Sequence, residues 1–391
     1  MFKSIVFVFL LFSSLSLSAQ NTVRIEIKAM PAFHAGDLVY IAGSFNGWNP
    51  KDENYKLSKG SNGNYFIELK LEPGKYEYKI THGGWDKVET KEDGAGITNR
   101  FFELTGNAVY EITVEGWADH FAAKPKTSSA SKNVQILTDH FQMKGIGVRR
   151  VWIYLPPGYA TSNHRYPVLY MHDGQNVFED STSFSGEWGV DEFMDTVKKR
   201  YSDTTVRTAC IVVAIDHAGP RRINEYSPYD FSLKSLGLSK SDSVSKAYGD
   251  LYVDFLVKEL KPYIDKNYRT LKSKETTYIA GSSMGGLISM YAILKYPKVF
   301  GVAGVFSPAF WVAPKIYDYI DKKGEKMKGR IYFYAGKQES ESMVTDMLKA
   351  FERMHAVSKA DMETVIRDDG KHNEPTWRRE FPLFYQWIMK N

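Results

Sequence analysis

Residues Thr276–Lys295, TTYIAGSSMGGLISMYAILK, join a β-prone run, a glycine-flanked serine and a helical pattern with no spacer between them. Tyr278–Ala280 is apolar, Gly281, Ser283 and Gly285 form Gly-x-Ser-x-Gly, and Leu287, Tyr291 and Leu294 recur at helical spacing. A strand that enters a helix through so short a turn leaves few folds open. The apex residue must be strained, and side chains at Gly281 or Gly285 would strike the adjoining strand and helix. The spacing predicts a strand–elbow–helix unit with the Ser283 hydroxyl at its tip, ready to attack a carbonyl. The helix start below it turns free N–H groups and a positive dipole end toward developing negative charge.

The 391 residues are enough for two domains and a large core. A hydrophobic share of 43% and a charged share of 25% fit a soluble globular protein. The net charge of +5 is spread without a long basic block, which argues against a nucleic-acid partner. Residues 1–19 have a basic start, an apolar Ile5–Phe12 and a Leu17-Ser18-Ala19 end, the pattern of a cleaved export signal. The apolar run is shorter than the ~20 residues of a membrane span, so export to the periplasm or beyond is expected without an integral membrane segment. The single cysteine, Cys210, lies in an apolar run and reads as a buried thiol.

Residues 21–116 carry short β-type runs (Val23–Lys28, Leu38–Gly43, Tyr65–Leu71, Lys75–Ile80, Phe101–Leu104, Val109–Val114) between Gly, Asn and Pro turns. That pattern predicts an all-β, immunoglobulin-like sandwich. Residues 117–133 are polar and rich in Ala, Ser and Lys, and read as a linker whose Lys124–Lys132 part is flexible. From 134 to 391, β-type runs alternate with helical ones, which predicts an α/β fold with a doubly wound, mostly parallel sheet. In such sheets ligands bind beyond the carboxyl ends of the strands, where Ser283 would stand.

A serine hydroxyl needs an imidazole to take its proton. His372 follows a β-prone run and the polar turn Asp368–Lys371, which places it at the same sheet edge. The imidazole needs a carboxylate to fix its tautomer. In the order serine, acid, histidine, Glu339 after the run Arg330–Ala335 is the expected acid, with Glu341, Asp368 and Asp369 as alternatives. The oxyanion needs two N–H donors: Met284 directly after the serine, and Gly174 or Gln175 in the loop after Val168–Met171. Gly174 would allow close backbone approach to substrate, and His172 reads as structural. Trp188, Phe310, Trp311 and Trp377 are expected at the pocket rim, with core packing the alternative for each. Arg221 and Arg222 are candidates to clamp an anionic substrate group, or else to pair with Glu225 or Asp230. The chemistry calls for no metal and no cofactor.

Residues 134–391 resemble the α/β-hydrolase esterases grouped with esterase D, feruloyl esterases and enterobactin-type siderophore esterases. The resemblance is carried by YLPPGY (154–159), YPVLYMHDGQNVF (166–178), RRINEYSP (221–228), AGSSMGGL (280–287), YAGKQES (334–340) and DGKHNEPTW (369–377). It implies Ser283 as nucleophile, His372 as base and Glu339 as acid, although many relatives carry Asp at the acid position. Within 21–116, IAGSFNGWNP (41–50), LEPGKYEYKI (71–80), Trp85 and TNRFFEL (98–104) resemble family-48 carbohydrate-binding modules. That likeness, which extends to the β-subunit domain of AMP-activated protein kinase, implies sugar contacts at Trp48, Lys79, Trp85 and Asn99, while DKVETKEDGAG after Trp85 departs from the kinase-subunit pattern. The chain is thus expected to be an exported serine carboxylesterase acting on feruloyl- or acetyl-type substituents of saccharides. A siderophore triester hydrolase and a glycan-binding protein with an inactive hydrolase domain are the alternatives.

Overall fold

A computed structural model describes residues 21–31, 38–121, 128–137, 141–143, 146–183, 186–200, 209–233 and 243–389. The chain divides into two compact units, 1–125 and 126–391. The export signal expected over 1–19 lies outside the described residues.

In the first unit, β1 (Asn21–Ala29), β3 (Ser58–Lys59), β4 (Tyr65–Leu71) and β8 (Ala108–Thr113) form one sheet in the order β3-β4-β1-β8. Strands β2 (Tyr40–Gly43), β5 (Gly74–Thr81) and β7 (Arg100–Leu104) form a second, and β6 (Glu89–Thr90) pairs with β9 (Gly116–Trp117). Alternation fills the space between the sheets. Val23, Ile25 and Ile27 of β1 and Ile67 and Leu69 of β4 meet Ile41, Tyr78, Ile80, Phe102 and Leu104 in one buried cluster. The expected linker is structured at both ends. Trp117 is fully buried in the first unit. Beyond the undescribed 122–127, the Ser131 amide donates to Asp191 at 2.6 Å and Asn133 to Asp195 at 2.8 Å.

The second unit is built on an eight-stranded sheet. Its strands are β10 (Val134–Ile136), β13 (Val151–Tyr154), β14 (Val168–His172), β15 (Ile211–Ile215), β18 (Thr277–Ser282), β19 (Val302–Phe306), β20 (Arg330–Gly336) and β21 (Asp361–Arg367). They lie in the order β10-β13-β15-β14-β18-β19-β20-β21, antiparallel over the first three and parallel from β15 to β21. Two short ribbons lie outside it: β11 (Phe141–Met143) with β12 (Gly147–Arg149), and β16 (Phe231–Ser232) with β17 (Val244–Ser245). Both faces of the sheet are buried, as parallel strands require. Ile279, Val305, Ile331 and Phe333 point into one cluster, and Tyr278, Ala280, Phe306 and Tyr332 into the other. The first face is covered by α3 (Gly249–Phe255), α5 (Met284–Lys295), α6 (Lys315–Lys323) and α7 (Met343–Val357). A π-turn at Leu256–Leu260 joins α3 to α4 (Lys261–Asn267). Helices α1 (Val190–Arg200) and α8 (Glu374–Met389) cover the second face, and the short α2 (Arg222–Tyr226) follows β15. Among the described residues no helix is long and apolar enough to cross a membrane.

Candidate active site

Ser283 stands between β18 and α5 with φ 59° and ψ −119°, a left-handed backbone that a residue with a Cβ rarely adopts. Its surroundings enforce that conformation. The Ser283 amide donates to the Phe306 carbonyl at 2.9 Å, and its carbonyl accepts from Leu287 at 3.1 Å and Ala309 at 3.0 Å. A Cβ on Gly281 would lie 2.9 Å from the His172 ring and 3.0 Å from the Gly285 backbone. Gly286, which the motif does not single out, is tighter still: its Cβ would lie 2.7 Å from the Phe306 carbonyl oxygen. The amide of Met284 falls in the first turn of α5, where N–H groups have no partner within the helix.

Glu339 and His372 meet in the loops after β20 and β21. The His372 Nδ1 lies 2.7 Å from Glu339 Oε2, and the Glu339 side chain is wholly shielded from solvent. Its other oxygen accepts from the Gly336 amide at 2.6 Å and the Ser307 hydroxyl at 2.8 Å. A carboxylate held this way keeps the proton on Nδ1 and leaves the Nε2 lone pair free to accept another. The two loops can touch because each has a glycine at the crossing. A Cβ on Gly336 would lie 2.3 Å from the Gly370 backbone, and the Gln338 amide bonds the Gly370 carbonyl at 2.9 Å. Of the alternative acids, Asp369 pairs with Arg379, Asp368 pairs with Lys337, and Glu341 is exposed.

Ser307 ties the elbow to this pair, and the sequence pattern missed it. It follows Phe306, which holds the Ser283 amide, and its hydroxyl donates to Glu339 while accepting from Trp377 Nε1 at 2.9 Å. Its φ of 42° is the one available signal, and that is a structural one.

The loop after β14 is a turn, Gly174–Asn176, entered through Asp173 at φ 57° and ψ 49°. Gly174 meets a constraint beyond the expected one. Its Cβ would lie 2.8–2.9 Å from the backbone of residues 214–216, so the close approach is to the end of β15. The Gln175 side-chain oxygen accepts from the His217 amide at 3.3 Å, and Asn176 donates to Glu374 at 3.0 Å. Burial raises the Glu374 carboxyl. His172, expected to be structural, is buried, with Nδ1 2.7 Å from the Tyr252 hydroxyl and its pKa pushed down to about 3 by burial.

Three rim expectations are corrected. Trp188, Phe310 and Trp377 are buried: the two indoles stack 5.8 Å apart with Phe306 and Phe381 around them. A large apolar ring gains more in that cluster than at a wet rim. Trp311, 43% exposed in the turn Phe310–Val312, is the aromatic side chain of this set that faces solvent. The two candidate clamp arginines differ, Arg222 being engaged and Arg221 exposed. Arg222 forms a bidentate pair with Asp173 at 2.6 and 2.7 Å, and Arg221 donates to the Ile146 carbonyl at 3.2 Å. Neither takes the alternative partners, because Glu225 pairs with Arg149 and Asp230 accepts from the Ala247 amide.

In the first unit, Trp48 and Trp85 lie 6.3 Å apart at 39°, Lys79 donates to the Ile97 carbonyl, and Asn99 donates to Glu77 at 2.9 Å.

The family described as "Putative esterase" matches residues 147–385. The chain belongs to that esterase family. It is a carboxylic ester hydrolase with an α/β-hydrolase domain, preceded by a β-rich domain that matches the pullulanase X25 domain over residues 32–114. An endo-1,4-beta-xylanase/feruloyl esterase of Xylanibacter ruminicola is 28% identical over 85% of the esterase chain and 41% of its own length. An uncharacterised Bacillus subtilis protein, YbbA, is 27% identical over 62% of the chain and 93% of its own. An alpha-amylase of Niallia circulans is 47% identical over 25% of the chain, which covers 8% of that enzyme. Among solved structures, the BES protein of Bacillus cereus superposes with TM-score 0.55 at 19% identity, over 68% of the chain and 99% of its own. The enterobactin esterase FES of Shigella flexneri gives 0.53 at 16% identity, over 90% and 88%. These two show the shared fold.

Proposed function

We propose that this esterase is exported and removes ester-linked acyl substituents, of the feruloyl or acetyl type, from polysaccharides or oligosaccharides. Ser283 attacks the ester carbonyl while His372 Nε2 takes its proton, and Glu339 stabilises the imidazolium that forms. The oxyanion is held by the Met284 amide and by that of Gly174 or Gln175. His372 returns the proton to the leaving alcohol, and water then frees the acid from the acyl-enzyme by the same roles reversed. The observation that carries this reading is the shielded Glu339 carboxylate 2.7 Å from His372 Nδ1, joined through Ser307 to the strand end that grips a left-handed Ser283.

The likeness to a xylanase/feruloyl esterase over most of the chain supports a saccharide ester as substrate. An exposed Trp311 two residues beyond the Ala309 amide that binds Ser283 suits a flat acyl group. In the siderophore reading Arg221 and Arg222 would face catecholate or carboxylate charge; Arg222 is paired with Asp173, whereas Arg221 is exposed and donates one bond, to the Ile146 carbonyl. In the first unit, Trp48 and Trp85 would stack on sugar faces beside Lys79 and Asn99. Export through the 1–19 signal would bring the enzyme to such substrates.

Ser283→Ala is expected to abolish p-nitrophenyl acetate hydrolysis and fluorophosphonate labelling with the thermal transition unchanged. Retained turnover in that variant would remove the nucleophile assignment. Feruloylated oligosaccharides compared with an enterobactin-type triester test the substrate class, and turnover of the triester alone would replace the reading.

A further inference from the structure

We infer that Arg222 is a positioning residue, which with Asp173 braces the oxyanion loop against the nucleophile elbow. The inference rests on the serine-esterase reading above and adds to it how the second oxyanion donor is held.

Asp173 is the residue directly before the Gly174 and Gln175 amides, so its backbone angles set where those N–H groups point. It occupies the left-handed region, which Asp tolerates better than most residues but which persists only where the surroundings enforce it. Helix α2 supplies that enforcement twice. At its start, the Arg222 fork closes on both carboxylate oxygens of Asp173; at its end, the Tyr226 hydroxyl accepts the Asp173 amide at 3.1 Å. Side chain and backbone of one residue are thereby pinned to one rigid turn. A parallel two-bond fork fixes orientation in a way a point charge does not.

The same pair touches the elbow. The Arg222 Nη2 is 3.5 Å from the carbonyl of Ser282, one peptide before the nucleophile. On the other side, a Cβ at Gly285 would sit 3.4 Å from Asp173 Oδ2 and 3.3 Å from His172 Cβ, so the carboxylate lies against the start of α5. The brace therefore spans the carboxyl ends of β14 and β18, which supply the two proposed oxyanion donors. The charge stays in place: burial opposes ionisation of Asp173, but the adjacent guanidinium outweighs it and holds the carboxyl below its ordinary range. Without the fork, Asp173 is free to relax toward negative φ, and the amides after it turn away from the reacting oxygen.

The test uses the full chain with Arg222→Met, Asp173→Asn and the double variant. Each is assayed on p-nitrophenyl acetate and on a p-nitrophenyl ester with a carboxylate-bearing acyl group. Loss of one oxyanion donor costs about 10²-fold in kcat, so each single variant is expected to lose up to about that much with KM within about twofold. The loss should be the same on both esters, and the double variant no slower than the slower single one. End-point fluorophosphonate labelling of Ser283 should persist. A loss carried by KM, a loss confined to the anionic ester, or additive losses would each overturn the brace and return Arg222 to direct substrate contact or to no role. A wild type that fluorophosphonate does not label would instead remove the underlying serine-esterase reading. Should Arg222→Met fail to fold, Arg222→Lys is read in its place: it keeps the charge, lacks the fork, and is expected to lose kcat in the same way.

Discussion

Two pairs of tryptophans sit in the two units, and their settings are opposite. Trp188 and Trp377 stack at 5.8 Å and 23°, each under 5% exposed, with the Trp377 N–H donated to Ser307. Trp48 and Trp85 lie 6.3 Å apart at 39° on turns that follow β2 and β5, half-buried, with Trp48 held at φ 60°. The first pair stabilises the floor under the candidate triad. The second is half-buried on two short turns. Residue type is the same in both, and what separates full from partial burial is the neighbourhood: Phe306 and Phe381 enclose one pair, and single-turn loops carry the other.

That contrast breaks most directly at Trp377. Trp377→Ala empties a fully packed position and is expected to cost about 3–5 kcal/mol in the esterase domain. It also frees Ser307, so kcat should fall alongside the melting temperature. Trp48→Ala should shift the melting of its own domain by much less. Equal shifts for the two, followed by calorimetry, would show that both pairs are core.

Burial can be probed through charge as well. Asp191 at the start of α1 is fully buried, and that burial raises its pKa to about 8; the nearby Glu192 adds like charge, while the Ser131 amide opposes it. The folded form thus favours the protonated acid. Its contribution is full below the ordinary carboxylate range and is lost as pH rises toward 8. The esterase domain is expected to melt several degrees lower at pH 9 than at pH 5. Asp191→Asn should flatten that slope; an unchanged slope would assign it to other groups.

A milder change isolates the hydrogen bond at the floor. Trp377→Phe keeps a ring against Trp188 but withdraws the donor from Ser307, and is expected to cost about 1–3 kcal/mol. If Ser307 orients Glu339 as its geometry implies, kcat falls more than KM changes. A stability loss with unaltered kcat would confine Ser307 to packing.

What could be read from the residues beforehand divides along the same line. Gly281-x-Ser283-x-Gly285, the β/α alternation and the chain order to Glu339 and His372 are local or ordered signals, and each element they implied is present within a few residues. The continuous β-prone stretch Val148–Tyr154 forms two strands, because β12 pairs with β11 in a separate ribbon while β13 enters the main sheet between β10 and β15. Ser307, the Arg222–Asp173 fork and the burial of Trp188 and Trp377 were not legible. Each depends on partners tens of residues away, and a Trp or Arg carries no local mark of which face it will meet. Gly174 was read toward substrate for the same reason, since the strand end it approaches lies about forty positions on.

The smallest expected effect bears on the half-buried pair itself. Trp48→Ala and Trp85→Ala each remove one ring face, and a single sugar–aromatic contact in water gains on the order of 1 kcal/mol, about a fivefold change in affinity. Retention on an α-glucan in affinity electrophoresis should fall by about that factor in each variant. Hydrolysis of p-nitrophenyl acetate, which offers no glycan, should be unchanged. The hydrogen bond from Lys79 to Ile97 and that from Asn99 to Glu77 would have to be shared with or yielded to sugar hydroxyls, so Asn99→Ala should weaken retention less than either tryptophan change. If wild type is not retained on glucan at all while both tryptophan variants melt normally, the carbohydrate assignment falls, and the contrast in burial between the two pairs stands without it.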